Sequence, residues 1–95
     1  MPGTTPQDQR SDPRFGLALP ITMGDSEGRT HDLSARGVLF EVQRPPALGS
    51  RVALRLLYAA GGTHCQLPCQ GRVVRIDALE GGYNVAVQFD RPLFR

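Results

Sequence analysis

The stretch HDLSARGVLFEV, His31 to Val42, decides the fold. In its second half Val38, Phe40 and Val42 alternate with Leu39 and Glu41, the period of two that marks a strand with one buried face. Its first half puts a carboxylate (Asp32), a hydroxyl (Ser34) and a residue without a side chain (Gly37) directly ahead of that strand, with Arg36 among them. Such a cluster belongs at the rim of a sheet or small barrel.

The same alternation continues on both sides. Upstream, Phe15, Leu17, Leu19, Ile21 and Met23 alternate with small or polar residues and predict a first strand, with Pro20 marking an edge or a bulge. GDSEG, Gly24 to Gly28, reads as a hairpin turn, and a short strand near Arg29 to His31 leads into the cluster. Downstream, Pro45 and Pro46 break regular structure. Val52, Leu54 and Leu56 then predict a strand; a short helix capped by Ser50 is the alternative, but Gly49 and Gly61-Gly62 leave it about three turns at most. His64 to Gln70, interrupted by Pro68, and Arg72 to Asp77, with Val74 and Ile76 on one face, follow as further strands. Arg72 and Arg75, at spacing three, are expected on opposite faces. After the turn EGG, Glu80 to Gly82, a last strand carries Tyr83, Val85, Val87 and Phe89. Short strands with regular turn signals describe an all-β domain, a small antiparallel barrel or sandwich.

Composition agrees. Eleven Gly and eight Pro in 95 residues favour short strands and turns over long helices. A chain of this length buries about 60–68% of its unfolded surface, enough for one modest core. Residues 1–13 are polar, carry no periodicity and are expected to form a flexible tail ahead of a single domain, residues 14–95. A net charge of +2 is too small for non-specific binding to DNA or to an anionic membrane, though it suits a small anionic ligand. No apolar run has the length of a membrane span and the N-terminus has no apolar signal core, so the expected location is the cytoplasm.

Two arginines complete the picture. RSDPR places Arg10 and Arg14 four residues apart just before the first strand, and DLSARG begins 18 residues after Arg14. Together, in this order and strand context, the two motifs resemble the PilZ family, whose members bind the bacterial messenger cyclic di-GMP. The family signature, an arginine, three residues, a second arginine, then Asp or Asn, any residue, Ser, two residues and Gly, falls here on Arg10, Arg14, Asp32, Ser34 and Gly37. Pro13, the segment GRVVR from Gly71 to Arg75 and YNVAVQF from Tyr83 to Phe89 are also similar to the family, so the resemblance covers nearly the whole chain.

The resemblance implies a six-stranded antiparallel split barrel that acts as a cyclic di-GMP receptor and is not an enzyme. Many members continue into a helix after the last strand; this chain ends in DRPLFR, where Pro92 opposes one, so the C-terminal helix is expected to be short or absent. The lower end of the barrel would then lean on a downstream protein partner or on a second copy as a homodimer. Gln9 stands where members that bind a stacked pair of dinucleotides carry an arginine, which leaves one or two ligands open.

The residue types suit such a ligand independently of the name. Guanine presents O6 and N7 as adjacent acceptors that a guanidinium meets with two hydrogen bonds, and phosphate takes the same fork. Guanine's N1-H and N2-H₂ want a carboxylate such as Asp32. Ser34 can contact phosphate or hold the loop, and Gly37 permits close backbone approach or a positive φ. Taken singly, an arginine pair is a solvated charge pair and DxSxxG an Asx or Ser turn. Jointly they read as the lid and wall of a guanine pocket, with the tail ordering across it on binding.

The rival readings are a PilZ-like adaptor for pilus or flagellar motility that binds no nucleotide, and a barrel for single-stranded nucleic acid. The last lacks interleaved exposed aromatics. HCQLPC, His64 to Cys69, has too few ligands for structural zinc, so no cofactor or metal is expected and the thiols default to free and buried. No Ser-His-Asp order, paired carboxylates or glycine-rich phosphate loop points to catalysis.

Overall fold

The computed structural model describes residues 14–16 and 18–93, Arg14 and Phe15 by their backbone. Its strands are β1 (Arg14–Phe15), β2 (Pro20–Met23), β3 (Ser26–Ser34), β4 (Gly37–Val42), β5 (Arg51–Ala60), β6 (Thr63–Leu79) and β7 (Gly82–Phe89). Neighbours run β1-β3-β2-β5-β6-β7-β4, all antiparallel, and β4 returns to pair with β3. That last pairing closes β2 to β7 into a six-stranded barrel, with β1 a short appendage on β3. No helix occurs among the described residues.

The strand His31 to Val42 was built around is central. In β4, Val38, Phe40 and Val42 are buried against β3 on one side and β7 on the other. They meet Ile21, Leu33, Leu54, Leu56, Val73, Val85, Val87 and Phe89 in one core. Removing a Leu or Phe side chain of this kind from water contributes about 1.5–3 kcal/mol. Thr30 is a buried polar residue, and it is satisfied locally: its Oγ1 accepts from the Leu19 N–H and its own N–H donates to the Leu19 carbonyl, both at 2.9 Å.

Four expectations need correction. The continuous strand from Phe15 to Met23 is divided, because Leu19 bonds to Thr30 and Pro20 opens β2 as its first residue. The short strand at Arg29–His31 is the middle of a nine-residue strand that contains Asp32 and Ser34, so the cluster is a strand end and turn rather than a preceding loop. His64–Gln70 and Arg72–Asp77 are one 17-residue strand, and Pro68 does not interrupt it. The backbone N–H of Val73 donates to Ser50 O, and Gln70 O accepts from the Asp90 N–H. Odd-numbered residues of β6 up to Val73 therefore turn their backbone groups to β5 and even-numbered ones away, so the N–H that Pro68 lacks belongs to the open side.

The fourth concerns facing. On β6, Val73 pairs with Val87 and Arg75 with Ala86, leaving Val74 as an extra residue, a β-bulge. Beyond the bulge the alternation flips. Val73 is buried and Ile76 packs on the core, whereas Val74 is exposed. The same step returns Arg75 to the outer side with Arg72, instead of opposite it. Arg72 donates to Gly49 O at 3.1 Å and Arg75 pairs with Asp77 at 2.9 Å.

The thiols are free, with Cys65 partly exposed and Cys69 buried. Burial pushes the Cys69 thiol up to about 11, which keeps it protonated and poorly nucleophilic at neutral pH. Among the described residues no group of His, Cys, Asp or Glu is placed to hold a metal ion, and no helix is long and apolar enough to cross a membrane.

Candidate functional site

A second bulge shapes the site. On β3, Thr30 pairs with Phe40 and Asp32 with Leu39, so His31 is the extra residue. Thr30 points into the barrel; without the bulge, strict alternation would point Asp32 inward as well. With it, Leu33 takes the core position while Asp32 and Ser34 lie on the outer side. His31, displaced outward, sets its Nε2 3.1 Å from Glu41 Oε1. Bulges at His31 and Val74 thus re-aim side chains on two strands that flank the same patch of outer surface.

That patch is a shallow cavity of about 290 Å³ at the barrel rim. Asp32, Ser34, Arg36 and Gly37 line one side, and Val74, Ala86 and Gln88 the other. Its volume is close to the lower end for small-molecule sites, room for one flat ring system with the rest of a larger ligand outside. A larger groove, about 870 Å³, lies elsewhere, between Leu67–Gln70 on β6 and Asp90–Leu93.

The turn that forms the wall is held from several sides. Ser34 Oγ accepts from the Arg36 N–H at 3.3 Å and donates to Gly37 O at 3.4 Å. Arg36 O accepts from Phe89 N–H and Ala35 O from Leu93 N–H, each at 2.8 Å. Ser34 thus holds the loop, one of the two roles open to it.

Gly37 opens β4 opposite Gln88, and its φ is not positive. Close approach is the reason for glycine: a Cβ here would sit 2.6 Å from Val87 O. Gly37→Ala must push β4 away from β7, with a cost of about 1–3 kcal/mol. Urea unfolding should show a lower midpoint at unchanged slope; a midpoint equal to the parent's would disprove the steric requirement.

Arg14 enters through the backbone. β1 pairs with β3 in the register Arg14 to Ser34 and Phe15 to Leu33, so the second motif arginine lies directly across from the motif serine. Arg10 lies outside the described residues, as does the tail before Arg14. The structure brings Arg14, Asp32, Ser34 and Gly37 to one rim. It holds Arg72 and Arg75 away from it, on Gly49 and Asp77. Sequence reading missed Val74, Ala86 and Gln88. Their signal was present in GRVVR and YNVAVQF, but the facing of Val74 depends on the bulge.

Comparison with known proteins agrees with this fold. The family model described as PilZ domain matches residues 8–93. Among solved structures, the chain is similar to one titled "Structure of Bacillus subtilis Inhibitor of motility (MotI/DgrA)", with a TM-score of 0.72 and 14% identity over 88% of this chain. It spans 43% of that longer chain. No curated protein matches.

Proposed function

Because this chain belongs to the PilZ domain family, we propose that it is a receptor module for cyclic di-GMP in bacterial second-messenger signalling. The observation that carries the reading is the pairing of Arg14 with Ser34, which joins the arginine motif to the wall of the cavity. In this reading Asp32 accepts from guanine N1-H and N2-H₂, Val74 and Ala86 offer apolar surface to the base, and Arg10 and Arg14 take the O6/N7 edge or phosphate. The turn held by Ser34, Phe89 and Leu93 serves in this reading as a preformed wall.

The rival is an adaptor in pilus or flagellar motility that binds no nucleotide; the solved neighbour's title names an inhibitor of motility. Calorimetry of the purified chain with cyclic di-GMP separates the two. Saturable heat is expected, and neither heat nor a thermal shift at high micromolar ligand would favour the adaptor.

Asp32 supplies the sharper test of how the base is read. Asp32→Asn keeps the shape and one acceptor oxygen, whereas Asp32→Ala removes both. Loss of a hydrogen bond to a charged group costs about 1.5–3 kcal/mol, or roughly 10- to 150-fold in affinity. Asp32→Ala should therefore bind more weakly than Asp32→Asn, and the opposite ranking in the same calorimeter would remove the carboxylate from the guanine edge.

A further inference from the structure

Although the barrel is closed, β6 extends beyond it on one side. β7 pairs with β6 only from Gly71 onward, and β5 covers the other side of β6 as far as the turn Gly61-Gly62. From Thr63 to Cys69, β6 therefore keeps one open edge. By the alternation fixed at Val73 and Gln70, the backbone groups on that edge are the N–H and C=O of His64 and Gln66 and the C=O of Pro68. No described strand pairs with them. Among the described residues, Asp90–Leu93 do not pair with the edge: Leu93 donates to Ala35, and the groove opens between Asp90–Leu93 and Leu67–Gln70.

This edge also lacks the usual protection. Between Arg55 and Arg72 there is no Asp, Glu, Lys or Arg, in a chain that is 21% charged. Charged side chains are a main device by which edge strands repel one another, and here only Pro68 limits pairing. Pro68 marks where a ladder must stop.

We propose that the β6 edge Thr63–Leu67 is a self-pairing site at which a second copy of this chain adds its own β6, antiparallel, about a twofold axis through Cys65. In that register His64 of one copy exchanges backbone hydrogen bonds with Gln66 of the other, and Thr63 faces Leu67. The arrangement is isologous, so one edge supplies both halves. Neutrality of the edge residues selects this occupant: apposing two identical edges sets His64 against Gln66 with no like charges face to face, and the neighbouring Arg55 is directed at Gln66 Oε1 of its own copy, 3.5 Å away. Cys65 falls opposite its own copy at a non-hydrogen-bonded position, where Cα atoms lie about 4.5 Å apart. That separation is within the range a disulfide spans.

Sedimentation equilibrium of the full chain under reducing conditions tests the proposal. A concentration-dependent dimer is expected into the high micromolar range, as suits a small contact. The double variant His64→Glu with Gln66→Glu places Glu opposite Glu twice while both side chains remain in solvent in the monomer. It should weaken the dimer by about tenfold or more. Gln66→Pro removes an edge donor without touching the β5 ladder and should do the same. Copper-phenanthroline should oxidise the pair of Cys65 thiols to an intermolecular disulfide in the parent, with Cys69 unreacted. A chain that is monomeric at every concentration, or a dimer that neither variant weakens and that gives no Cys65 cross-link, overturns the proposal.

Discussion

Arg14→Ala loses nearly all affinity for cyclic di-GMP while its melting temperature stays within a few degrees of the parent's. The two halves of that expectation have separate origins. A guanidinium that forks onto a base edge or a phosphate contributes about 1–3 kcal/mol for each good bidentate pair, so its removal weakens binding by roughly 5- to 150-fold for each pair lost. What holds residue 14 in place is the pairing with Ser34, made by backbone groups that alanine retains. A backbone-held strand with a replaceable side chain separates recognition from folding. Calorimetry and thermal unfolding on the same sample check both parts. Parental affinity in Arg14→Ala would show that the ligand is not held by this arginine.

Phe40→Ala has the opposite profile. Phe40 is 0% exposed, and its strand lies between β3 and β7, opposite Thr30 on one side and Val85 on the other. Truncating a fully buried phenylalanine costs about 3–5 kcal/mol, transfer and cavity terms together. That is a large part of the roughly 5–15 kcal/mol that holds a domain of this size. The melting temperature should fall by tens of degrees, since each kcal/mol moves it about 4–8 °C in a domain of 60–100 residues. Affinity, measured below the transition, should stay near the parent's, because Phe40 points away from the outer cavity. A fall of only a few degrees would mean that the core is not centred on β4.

These variants also mark what the sequence disclosed. β4 and β7 were legible because each alternates without interruption and is buried on one side, and local pattern then agrees with tertiary environment. Asp32, Ser34 and Gly37 were legible as a cluster because turn chemistry and spacing are local properties. β6 was misread because Pro68 counts as a breaker unless it is known that its missing N–H belongs to an edge. Val74, Arg72 and Arg75 were misassigned because a bulge changes the parity of every residue beyond it. Nothing in RVVRI announces the extra residue; the count is made by the partner strand, Ala86 and Val87. The cavity wall across from Asp32 was therefore hidden, although its residues were in view.

The two-residue strand β1 has a consequence for how tightly a tail can grip. Because Arg14 is anchored across from Ser34, Arg10 is tethered by four residues, whose fully extended reach is at most about 14 Å. Any site within that radius meets Arg10 as an intramolecular partner, at an effective concentration in the millimolar range or above. The arginine then needs little intrinsic affinity of its own to stay engaged. A free peptide carrying the same residues would have to be supplied at comparable concentration to replace it, and lengthening the spacer would dilute Arg10 with no contact changed. Two backbone rungs thus set the local dose of a side chain four residues away.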